Sequence, residues 1–75
     1  MDKYDKAAVY LRGHEYQHAE ALDNSLWVEV WCHDLSATTD IRVHEEQVDE
    51  YAAEYDRDPA KYDQLEKKYQ EDIRM

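Results

Sequence analysis

The spacing of hydrophobic and polar positions changes period twice along the chain. From Asp2 to about Leu22 it is helical: Tyr4, Ala8, Leu11, Glu15, His18 and Leu22 recur at intervals of three and four, and Ala7 and Ala19 widen the same face. Asp2 or Asp5 can cap the start, and acids in the first turn suit the helix dipole. Gly13 interrupts this helix at a cost of roughly 1 kcal/mol against Ala. A strand over 7–11 followed by a helix from His14 is the competing pattern; the single helix over residues 2–22 fits better. Asp23-Asn24-Ser25 is a polar break. Leu26 to His33 then alternates, with Leu26, Val28, Val30 and Cys32 on one face and Trp27, Glu29, Trp31 and His33 on the other. Leu35 to Thr39 reads as a turn, and Asp40 to His44 as a second strand with Ile41 and Val43 on one face. The two strands predict an antiparallel hairpin over 26–44, which needs helices to cover one side.

From Glu45 the helical period returns. Val48, Tyr51, Ala52 and Tyr55 share a face, and Asp58-Pro59 is a start signal, an acidic N-cap followed by Pro in the first turn. Helices are expected over 45–57 and 59–74, the second with Tyr62, Leu65, Tyr69 and Ile73 on one face. Tyr55, Tyr62 and Tyr69 lie seven apart, but Asp58-Pro59 breaks the repeat, so a bend is expected rather than a coiled coil. The sum is one α+β domain over residues 1–75, in the order α-β-β-α-α.

Composition sharpens this picture. A chain of 75 residues buries a modest fraction of its surface. It has no Phe, and seven Tyr supply much of the aromatic bulk. Each Tyr buries a ring but keeps a hydroxyl that needs a partner. The core is expected to be thin, and a homodimer is a natural remedy. Cys32 is the sole cysteine, which excludes an intramolecular disulfide and points to a reduced, cytoplasmic setting. No apolar run reaches the length of a membrane span. The N-terminal sequence lacks a signal-peptide pattern, and the chain is expected to be a complete small protein. Leu26 to Cys32 is too apolar and β-prone for a disordered segment.

Charge adds the main functional clue. The net charge is −10. It disfavours direct binding to nucleic acid or anionic membranes and favours capture by basic proteins. Glu45, Glu46, Asp49, Glu50, Glu54, Asp56 and Asp58 crowd into fourteen residues, answered there only by Arg57. On a helix, Glu46, Glu50 and Glu54 stack along one face and Glu45 and Asp49 form a row beside them. One reading is a solvated face. The other is a phosphate-like array that docks into a basic cleft through directional carboxylate–Arg contacts. In size, acidity, aromatic content and this cluster, the chain resembles the small acidic inhibitors made by bacteriophages, the DNA-mimic anti-restriction and anti-CRISPR proteins. That resemblance implies a non-enzymatic inhibitor whose partner is a basic nucleic-acid-binding protein, with no cofactor; the charge pattern, not the resemblance, picks out the seven acids as its contact residues.

His14-Glu15-Tyr16-Gln17-His18 matches H-E-x-x-H, in which two His one helical turn apart hold zinc and the Glu serves as general base. Over these five residues it resembles the zinc metallopeptidases, which implies His14, Glu15 and His18 as a metal site. Arg12 and Glu20 flank the motif with charge. Ala21 and Asn24 stand where the extended motif has Gly and a third His. A third ligand would come from Glu29, Cys32, His33 or Glu46, and a site joining Cys32, His33 and His44 to the first helix is a further possibility. Cys32 as nucleophile is disfavoured because His33 points to the other strand face. A lone Gly13 cannot build a phosphate loop. Trp27 and Trp31 share a face that the helices can leave open, which makes it a candidate interface. The expectation is an acidic protein-binding inhibitor. A minimal zinc hydrolase and a structural dimerisation module are the alternatives.

Overall fold

The computed structural model describes residues 1–74. Its first element, helix α1 (Lys3–His14), is capped by Asp2, whose carboxylate accepts the Asp5 N–H at 2.9 Å. Three strands follow: β1 (Ala19–Leu22), β2 (Ser25–Cys32) and β3 (Ala37–Arg42). Helices α2 (Glu45–Arg57) and α3 (Pro59–Ile73) complete the chain. The class is α+β as expected, but the order is α-β-β-β-α-α.

The extra strand corrects the long first helix. Helical structure stops at His14, and Tyr16 takes a left-handed φ of 55° that no continuing helix allows. Residues 19–22 instead pair antiparallel with β2, Ala19 opposite Val28 and Leu22 opposite Ser25. The link is a two-residue turn in which Asp23 and Asn24 both have φ of 53°, the backbone of a type I′ hairpin. The alternative strand over 7–11 is not formed either. β3 also starts earlier than its pattern implied. It runs over 37–42, so the turn is the loop 33–36, closed by the Ser36 N–H donating to the His33 carbonyl. The sheet order is β1-β2-β3. Both later helices begin and end within a residue of their expected bounds. At the bend between them the Asp58 carboxylate accepts the Lys61 N–H, and the Tyr55 hydroxyl donates to Asp63 at 2.9 Å.

α1 is the hub of the packing. Ala7, Ala8, Val9, Tyr10 and Leu11 are five consecutive buried residues, because α2, α3 and the sheet surround the helix on several sides. A helix enclosed in this way needs no single apolar stripe. The Leu26/Val28 face of β2 and Val43 join this core with Val48, Tyr55 and Tyr62. Gly13 explains itself here. A Cβ at this position would lie 2.9 Å from the Leu65 Cβ and 2.9 Å from the Glu66 backbone N, so its absence lets α3 close onto α1. Arg12 seals the junction of α1, β1 and α3. It donates to the Ala19 carbonyl at 2.7 Å and pairs with Glu66 at 2.9 Å, both side chains being about four-fifths covered. No described helix is long and apolar enough to cross a membrane.

Candidate functional site

The acidic residues of α2 divide into two rows because the helix is buried along Val48, Ala52 and Tyr55. One row faces α1. Lys3 Nζ sits 3.0 Å from both Glu45 and Asp49, and Lys6 sits 3.0 Å from Asp56. The Tyr4 hydroxyl donates to Glu45 as well. The hydrogen bonds from Lys3 and then Tyr4 hold the Glu45 carboxyl below its ordinary range. Asp49 and then Glu45 push the Lys3 ammonium above its own. These partners lie more than forty residues away in sequence, so the local charge count of the acidic segment could not include them. The sequence signal for them is modest: Lys3 and Lys6 are three apart on the first helix and share one side of it.

The second row points outward. Glu46, Glu50 and Glu54 lie away from the core side of α2. Among the described residues only Glu54 has an ion-pair partner, Arg57 at 3.0 Å. Asp58 is engaged as the cap of α3. Of the seven candidate residues, the structure therefore places Glu46, Glu50 and Glu54 along one outward strip, Glu54 paired with Arg57, and commits Glu45, Asp49, Asp56 and Asp58 at least in part to contacts within the fold.

The H-E-x-x-H segment does not form the geometry its spacing implies. Glu15 is the C-cap of α1 and His18 lies beyond the left-handed Tyr16, so His14 and His18 are not one helical turn apart. His14 stacks on Tyr10 with ring centres 5.0 Å apart. His18 Nδ1 shares a 3.1 Å hydrogen bond with the Tyr69 hydroxyl, and its Nε2 lies 3.9 Å from Glu29. Among the described residues no three His, Cys, Asp or Glu side chains gather closely enough to hold one metal ion. Cys32, His33 and His44 stay dispersed along the hairpin and the start of α2.

Of the tryptophan pair, Trp27 is half-buried while Trp31 is 56% exposed. The covered face of β2 is the Leu26/Val28 face. In the distal half of the β2–β3 hairpin Trp31 and Leu35 are exposed, and Ile41, nearer the base on the edge strand opposite Val28, is exposed as well. The tyrosines mostly turn inward. Tyr10, Tyr55, Tyr62 and Tyr69 are buried, and only Tyr16 is more than half exposed. Beside the acidic strip, Tyr51 is half-buried and stacks on Tyr10. Comparison of the chain with known protein families, curated proteins and solved structures yields no match.

Proposed function

We propose that this protein is a non-enzymatic binding module that presents the outer face of α2 to a basic, nucleic-acid-handling protein and blocks it by occupying its cleft. The observation that carries the reading is the separation of the two acidic rows. Lys3 and Lys6 neutralise the inner row, whereas among the described residues Glu46 and Glu50 face outward without a cation partner. Glu46, Glu50 and Glu54 repeat at about 6 Å along a rigid helix. Rigid placement matters because carboxylates already held in position lose little freedom on meeting Arg or Lys. A −10 chain also approaches a basic surface quickly, and salt screens that attraction.

The test compares wild type with the triple variant E46A/E50A/E54A as bait in bacterial lysate, eluted by a salt gradient. A nucleic-acid-binding protein retained at moderate salt by wild type and lost by the variant supports the reading. Equal capture by both baits overturns the site. Unselective capture of basic proteins that dissociate at low salt reduces the strip to a solubilising surface.

A further inference from the structure

The outer edge of β3 carries an arrangement that α2 does not explain. β2 lies on one side of β3, and no helix packs extensively against it. The Val43 N–H donates to the Leu26 carbonyl, so Val43 and, by alternation, Ile41, Thr39 and Ala37 direct their backbone groups at β2. Thr38, Asp40 and Arg42 therefore direct theirs at the open edge. On the outer sheet face Asp40 stands directly opposite Glu29 in a non-hydrogen-bonded pair, where side chains are closest. Like charges in that relation are destabilising, and among the described residues no cation is paired with Asp40. On the other face Ile41 is 50% exposed although its cross-strand neighbour Val28 is buried.

We propose that this edge pairs with β3 of a second copy, centred on Ile41, to make a continuous six-stranded antiparallel sheet. A two-fold axis perpendicular to the sheet must place some residue opposite itself. Centring on Asp40 would oppose two carboxylates. Centring on Thr39 would leave Asp40 facing Thr38. Centring on Ile41 opposes Asp40 with Arg42 of the second copy, twice, and these are the residues with free backbone groups. Four backbone hydrogen bonds then bracket an Ile41–Ile41 contact that continues the apolar row from Val28. The new guanidinium, which within its own protomer lies 3.9 Å from Glu45, also sits beside the like-charged Glu29–Asp40 pair. Charge restricts the choice of face. From Val30 to Arg42 the chain carries Asp34, Asp40 and Arg42, close to neutral, whereas the remainder holds nearly all of the −10. A second copy is repelled elsewhere and admitted here. This inference does not depend on the function proposed for α2.

Sedimentation equilibrium on the full chain tests it, with circular dichroism to verify folding of each variant. Wild type is expected to dimerise. D40R and R42D, which each oppose like charges across the axis, should weaken dimerisation on the order of tenfold or more. The double variant D40R/R42D restores opposite charges and should recover the dimer. A monomeric wild type overturns the proposal and leaves the edge open to a foreign strand. A dimer indifferent to the single swaps, or not rescued by the double, places the interface elsewhere and overturns it too.

Discussion

Gly13 and Arg12 are adjacent residues whose importance has different physical origins. At Gly13 the sequence shows only a helix defect, and propensity alone would make Gly13→Ala stabilising by about 1 kcal/mol. The structure reverses the sign. The added methyl meets a backbone nitrogen and a Cβ at 2.9 Å, neither of which can swing aside. Gly13→Ala is expected to lower stability by about 1–3 kcal/mol, the cost of overpacking, as read by urea unfolding. A stabilised variant would show that α1 and α3 are not in contact at this point. Arg12→Ala should cost about 2 kcal/mol, because it strands the mostly covered Glu66 and the Ala19 carbonyl together. Arg12→Lys should recover only part of this, since one ammonium cannot reproduce the guanidinium fork. Equal stability of Arg12→Lys and wild type would deny the fork its role.

At the scale of elements, legibility followed the presence of local stop and start signals. α2 and α3 were legible because Asp58-Pro59 encodes a cap and a first turn, and because Val48, Ala52, Tyr55, Tyr62 and Tyr69 keep helical spacing. β2 was legible from its alternation. The end of α1 was not, because Glu15, His18 and Leu22 continue a helical interval by coincidence and the chain turns at Tyr16, a residue with no preference for positive φ. β1 was lost with it, although Asp23-Asn24 is a composition that suits a type I′ turn. The acidic strip was half legible. Its outward row follows from i, i+4 geometry within α2, whereas neutralisation of its inner row depends on a tertiary contact with α1. The division predicts two different responses. E46A/E50A/E54A should leave stability within about 1 kcal/mol, since relief of like-charge i, i+4 pairs offsets the loss of a favourable dipole contact at Glu46. Lys3→Ala should lower the thermal midpoint by exposing Glu45 and Asp49 to each other, and added salt should narrow the difference from wild type. A salt-independent difference would mean that Lys3 contributes by packing instead.

The whole molecule is flat and tyrosine-rich, and both properties bear on how it comes apart with pH. Its radius of gyration is 12.4 Å, against roughly 11 Å for a compact chain of this length, and its shortest dimension is 18 Å. So thin a body relies on phenol rings for bulk, and the ring packing determines its alkaline limit. Burial holds Tyr10, Tyr55 and Tyr69 above the ordinary phenol range, with Asp63 adding to the effect at Tyr55. Tyr16 is raised by its hydrogen bond to Asp72, and Tyr4 by desolvation and Glu45. A group with a raised folded pKa contributes stability that is complete below its unfolded value, here 10.0, and is lost as pH rises through the folded value. Glu45 works in the opposite sense: its contribution is present above the unfolded value of 4.5 and fades as pH falls through its lowered folded value. The fold should hold between these limits and fail above pH 10 as several raised phenols ionise together. Tyrosinate absorbance and far-ultraviolet circular dichroism, followed through the same alkaline titration, are expected to change in one steep, coincident step. Independent tyrosines would give a broad ionisation around pH 10 with the dichroism intact, and that result would contradict a core built from phenol rings. Tyr69→Phe keeps the ring and removes the ionisable hydroxyl, so it should move the step to higher pH. It should do so despite the lost hydrogen bond to His18, because one fewer buried phenolate has to form.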